Sequence, residues 1–181
     1  GTVTSHERYL YRGYLQIAAL DMLDNRNVLR TLLWDPLEPV ATRPLALVQG
    51  ASLYCYGVDF NKNVTEVFDA QGTIAAAYDY SPYGTATRTG RLVQPVQWSG
   101  EMHDEEPALA YYNYRFYNPK DGRWINRDPI AEQGGWNLYA FLGNRIYQYD
   151  TLGKFINFLI SGVVSAVTEV AVQVVTNYVE E

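Results

Sequence analysis

Cysteine, histidine and positive charge are all scarce in this chain, and each scarcity removes a class of protein. Cys55 is the only cysteine among 181 residues, so no internal disulfide can form. Adding the two histidines, His6 and His103, to that cysteine still falls short of a structural zinc set, and we expect neither metal nor cofactor. Lys and Arg number 14 against 20 Asp and Glu, a net charge of −6. That balance argues against nucleic acid as a partner, because a phosphate backbone calls for a basic stripe. The first residues lack a basic stretch followed by an apolar core, so they do not read as a signal peptide. What the chain does have is tyrosine, 16 against 6 Phe. Tyr brings buried area with a polar tip, which suits a wall wetted on one side.

The stretch 111–153 organises the rest, and it is dense in Tyr, Trp, Asn, Gly and Asp. The aromatic run Tyr111 to Tyr117 reads as a strand covered at least in part on both faces. Asn118-Pro119-Lys120-Asp121-Gly122 is a turn, in which Pro fixes one φ and Gly supplies a positive one. Arg123-Trp124-Ile125 returns as a strand until Asp128-Pro129 stops it. Gly134-Gly135 opens another turn, and Asn137 to Phe141 is a short strand or helical turn.

Upstream, short apolar runs separated by turn residues predict antiparallel strands over residues 7–34. Leu15 to Leu23 has helical propensity, but the regular turn spacing favours strands. Residues 35–44 carry three prolines and form a loop or extended edge. The next hairpin spans 45–59, with its turn at Gln49-Gly50, and Cys55 is a half-buried strand residue. Asp69-Ala70-Gln71-Gly72 is a turn in which Asp69 accepts from backbone N–H groups and Gly72 takes positive φ. Tyr78-Asp79 has two readings: an aromatic and carboxylate pair for sugar, or Tyr packing in a wall with Asp capping a turn. Residues 85–90 read as a polar loop, 93–98 as a strand and 101–107 as a charged turn. His103 is either a metal or acid–base residue there, or simply an exposed one in a solvated loop.

Several fixed positions in 111–153 converge: Tyr-x-x-Arg-Phe-Tyr-Asn-Pro-x-x-Gly-Arg-Trp, then Arg-Asp-Pro-Ile, then Gly-Gly-x-Asn-Leu-Tyr. This pattern resembles the RHS-repeat-associated core domain, which closes the YD-repeat shells of bacterial Rhs toxins and of the TcC subunit of insecticidal Tc toxins. Tyr78-Asp79 matches the pair for which those repeats are named. The resemblance implies a mainly β protein: an antiparallel YD-repeat sheet, part of an Rhs shell with its C-terminal plug, plus one C-terminal helix. Its boundaries would be 1–110 for the strands, 111–153 for the core and 154–181 for the start of a variable region. Gly1-Thr2 without an initiator Met fits a piece of a longer repeat protein, whose units need neighbours to bury their faces.

The resemblance also implies self-cleavage by an aspartyl centre, with the motif Asp-Pro-x-Gly, eighteen residues, then Asp-Pro-x-Gly. Here Asp128-Pro129-Ile130-Ala131 and Asp150-Thr151-Leu152-Gly153 stand in that register, separated by the eighteen residues 132–149. Arg127 matches an arginine before the first Asp. The catalytic set implied is Arg127, Asp128 and Asp150, cutting near Lys154-Phe155. Two close carboxylates share one proton, so one can act as base on water, and an arginine steadies the developing charge. Ala131, Thr151 and Lys154 depart from the motif, standing where the family has Gly, Pro and Leu. The residues alone admit a structural reading as well, with Asp128 and Asp150 capping turns and Arg127 paired to one of them.

Residues 155–179 change character, with Glu169 their one charge. Ile156, Ile160, Val163, Val167, Val170 and Val174 recur at helical heptad spacing. The segment is long enough to cross a bilayer, although Glu169, Gln173 and Asn177 would be costly there. An amphipathic helix packed on the shell is the other reading. The expectation is a secreted or cell-surface bacterial module that encapsulates, and releases, a C-terminal toxin domain. Its partners would be the rest of the YD-repeat shell, the toxin cargo, and an immunity protein or secretion machinery. Two alternatives stand beside it: a non-catalytic surface module binding carbohydrate or another cell, and a toxin tail held in membrane through residues 155–179.

Overall fold

A computed structural model describes residues 1–37, 42–131 and 136–141. Eight strands follow one another as an antiparallel meander: β1 (Glu7–Arg12), β2 (Leu15–Asp21), β3 (Asn27–Trp34), β4 (Pro44–Gln49), β5 (Ser52–Val58), β6 (Val64–Asp69), β7 (Ile74–Tyr80) and β8 (Ala86–Gly90). A second sheet holds four: β9 (Met102–Asp104), β10 (Leu109–Tyr112), β11 (Arg115–Asn118) and β12 (Arg123–Trp124), in spatial order β12-β11-β10-β9. The antiparallel β expectation therefore holds, including Leu15 to Asp21 as a strand. The helix expected from residue 155, and the segment's relation to a membrane, lie outside the described residues. Among the described residues no helix is long and apolar enough to cross a membrane.

Turn chemistry explains the meander. Asp69 Oδ1 accepts from the backbone N–H of Gln71 at 3.0 Å and of Thr73 at 2.8 Å, and Gly72 sits at φ +80°. Asp59 repeats the device, with Asn61 and Asn63 donating at 2.8 and 2.9 Å. A short acceptor on Cγ can replace a backbone carbonyl at such corners, which is why Asp recurs at the ends of these hairpins.

Pairing fixes which side chains share a face. Leu32, Leu47 and Tyr54 lie opposite one another across β3, β4 and β5, and Leu32 and Leu47 are buried. The neighbouring row, Leu33, Ala46, Cys55, Phe68 and Ile74, takes the other face, where Leu33, Cys55 and Ile74 are exposed. The segment after β8 accounts for the difference, because it packs on the first face. Val96 from that segment joins a core with Leu15, Leu32, Trp34, Leu47, Val64, Val67, Ala76 and Tyr78. Gln94 is its polar anchor. Its Oε1 accepts from Tyr56 and from the Val96 N–H, while its Nε2 donates to Tyr78 Oη and Val96 O. Burial pushes the Tyr56 and Tyr78 hydroxyls above their ordinary range, so both stay neutral inside this network, Tyr56 donating and Tyr78 accepting.

The second sheet continues across. Tyr114, in the β10–β11 turn, has its hydroxyl 3.1 Å from that of Tyr14, in the turn between β1 and β2. Its own core is a cluster of rings: Tyr112, Tyr117, Trp124 and Phe141 around Ala110, with Trp98 against them. Most contacts are edge-on, such as Tyr112 to Trp124 at 5.1 Å and 87°.

Several local expectations change. Residues 86–90 form a strand rather than a loop, paired from Ala76–Gly90 to Tyr80–Ala86. Residues 93–98 form no strand; only Val96 bridges to Met102. The aromatic run 111–117 is not one strand but two, broken by a two-residue turn at Asn113, whose φ is +59°. Cys55 is exposed, not half-buried. His103 lies in β9 and is partly buried rather than exposed in a loop.

Burial lowers the pKa of His103, with Glu105 and Asp104 pulling in the opposite direction. The fold thus favours the neutral ring, while the unfolded chain takes up the proton first, near pH 6.5. Stability from this group is present above that value and lost as pH falls toward the folded pKa. Urea midpoints are expected to drop between about pH 7.5 and 5.5, and His103→Asn should flatten the drop.

Candidate functional site

The site grows from β11. Its side chains alternate, with Arg115 and Tyr117 buried and Phe116 exposed. The turn at Asn113 sets this phase, since it pairs Arg115 with Tyr112 and so turns the guanidinium toward the ring cluster. There Arg115 lies over Trp124, 4.0 Å from the ring centroid. Its Nη1 donates to Asp128 Oδ2 at 2.8 Å, and the two side chains are only 2% and 5% exposed.

Asp128 is fixed on every side. Its backbone N–H donates to Leu138 O at 3.1 Å. Its Oδ1 accepts from the Ile130 N–H at 3.0 Å, and its carbonyl accepts from Ala131 at 3.0 Å. The Asp-Pro-Ile-Ala sequence is thus an Asp-capped turn, with Pro129 placed where no N–H is needed. Nearby, the Tyr117 hydroxyl donates to Tyr83 O at 2.8 Å, and burial, with Tyr83 adding to it, raises its pKa.

The sequence-derived set of Arg127, Asp128 and Asp150 falls out as follows. Asp128 is in the buried site. Arg127 is exposed and forms no ion pair among the described residues. Asp150 lies outside the described residues. The guanidinium on Asp128 is Arg115, twelve residues upstream of Arg127, which sequence reasoning passed over. The signal was present: once Asn113 is taken as a turn, period-two alternation puts Arg115 on the same face as Tyr117, and an arginine facing a ring cluster marks a cation–π seat. Among the described residues no group of His, Cys, Asp and Glu can hold a metal ion.

Ala131 has φ +52°. That is the left-handed region, in which a Cβ costs about 1 kcal/mol and glycine is free. The turn geometry therefore asks for glycine at the position where this chain has alanine. Ala131→Gly should raise stability by about 0.5–1 kcal/mol, read from chemical denaturation.

Fold and site together define an antiparallel β wall closed by an aromatic cap that holds a buried arginine–aspartate pair. No family model matches the chain. Among related sequences, double-stranded DNA deaminase toxin A of Burkholderia cenocepacia (strain H111) is 37% identical over 94 residues, 49% of this chain and 7% of that protein. Toxin protein Tse5 of Pseudomonas aeruginosa is 39% identical over 74 residues, 40% of this chain and 6% of that one. Among solved structures, TcdB2-TccC3-Cdc42 matches 82% of this chain and 8% of its own with a TM-score of 0.64. At 22% identity that match speaks for the fold. The chain spans less than half the length of the curated relatives it matches. Its relatives include toxin proteins, in line with the Rhs and Tc resemblance, and its wall has the fold of a Tc toxin complex segment.

Proposed function

We propose that this chain is the closing section of a hollow β shell that encloses a C-terminal toxin, and that Asp128 is half of a self-cleaving centre that frees it. One observation carries the reading: a carboxylate sealed in the cap, held by a buried guanidinium, at the first Asp of a motif whose second Asp follows in register. Asp150 would supply the second carboxylate, one sharing a proton with the other and one accepting a proton from the attacking water. Arg115, rather than Arg127, is the cation placed to steady Asp128 or a developing oxyanion. The rest of the shell would add strands at the free edge of β1, whose residues Arg8 to Arg12 are exposed. The cargo follows residue 154.

Intact mass tests this. The native chain, purified with the residues that follow its core, should yield a product ending near Lys154. Asp128→Asn and, separately, Asp150→Asn should leave it whole. A native chain that stays whole would sink the cleavage reading and leave the second one. Both Asp128 oxygens are already engaged, one capping the turn and one on Arg115, which favours a cap-locking pair without chemistry.

A further inference from the structure

We infer that the free edge of β8 is a docking site for an extended, acidic segment of a partner protein, which adds there as a ninth strand. This does not rest on the cleavage reading. Among the described residues β8 is the last strand of the wall and pairs only with β7. The Ser81 N–H donates to Thr85 O at 2.9 Å, which sets the alternation of the hairpin. With the register unbroken from Tyr80–Ala86 to Ala76–Gly90, Thr87 and Thr89 turn their backbone groups toward β7. Those of Ala86, Arg88 and Gly90 point outward, and none has a partner among the described residues. An open row of this kind is a template for another strand.

Among the described residues the chain does not come back to fill it. Arg91 and Leu92 both donate to Ala75 O, which carries the backbone off the sheet at this corner. The next strand, β9, pairs with β10 instead. A cleft of about 420 Å³ therefore remains beside the edge, bordered by Ala86, Arg88, Gln97, His103 and Lys120. Gln97, whose side chain is almost wholly buried, lines this cleft. A peptide backbone entering the cleft offers this amide both donor and acceptor. The chemistry of the partner follows from charge. Arg88 and Lys120 line the cleft against Glu105, a local excess of positive charge on a chain whose net charge is −6. Arg88 meets Glu105 at 3.0 Å with both side chains well exposed, a contact that an incoming carboxylate can replace.

Amide hydrogen exchange on the whole chain, followed by NMR, is the test. The probes are end-blocked seven-residue peptides of alternating Thr and Glu or alternating Thr and Lys. The acidic peptide should slow exchange at Ala86 and Arg88 by roughly tenfold or more, and the basic one should not. Ala86→Pro removes an outward donor without touching the β7 ladder, so the fold should survive while the acidic peptide no longer binds. Lys120→Glu should weaken binding by about fivefold. Unchanged exchange at both amides would overturn the inference. So would protection already present in the free chain, which means a segment of the same chain fills the edge, or protection that grows with dimer formation, which means a second copy does.

Discussion

Asp128→Asn is expected to lower stability by about 3–5 kcal/mol, because it takes the 2.8 Å carboxylate away from the buried Arg115 charge. The side chain keeps its shape, so the turn cap to Ile130 can persist and the loss isolates the charge. Arg115→Met should cost as much for the opposite reason, stranding Asp128 while also removing the stack on Trp124. Making both changes together should cost clearly less than the two single losses combined, since each alone already forfeits the pair. Urea denaturation of the four proteins measures this. Additive losses would mean that the 2.8 Å contact is not what holds the cap. The outcome also separates structure from chemistry. A folded Asp128→Asn chain that fails to cleave supports the proposed centre, whereas cleavage by that variant removes Asp128 from it.

Gly100→Ala is the second large effect, expected at about 3 kcal/mol. Gly100 sits at φ +71°, and an added Cβ would stand 1.8 Å from the Thr42 carbonyl oxygen. Both the backbone region and the space exclude a side chain, so the loop before β4 and the turn at Trp98–Gly100 must part. That contact matters beyond its size. Thr42 Oγ1 lies 3.0 Å from Ser99 O and 3.1 Å from buried Glu101, and the Ser99 N–H donates to Asn63 at 2.7 Å. These bonds tie the segment between the sheets to two hairpin loops of the wall. Trp98 lies against Gly84, so its fluorescence should report the separation. A Gly100→Ala chain with native emission and native stability would refute this account of the joint.

The strands were legible because their cause is local. Asp59, Asp69 and Gly72 announce turns by their own chemistry, and β-rich runs between turns have few other solutions. The strand β8 was missed for the opposite reason. Thr-Arg-Thr-Gly carries no apolar alternation, and only pairing with β7 makes it a strand. Asn113 hid inside an aromatic run that reads as one strand, although its tolerance of positive φ is what folds that run back.

By itself, the sequence determined an antiparallel β architecture, the absence of a disulfide within these residues, and the placement of Asp128 at a Pro-stopped turn. Each of these depends on a residue and its immediate neighbours. Tertiary structure alone decided that Arg115, not the adjacent Arg127, meets Asp128. Proximity along a chain says little about direction, because successive side chains point to opposite faces, and the turn at Asn113 determines which of them faces the rings.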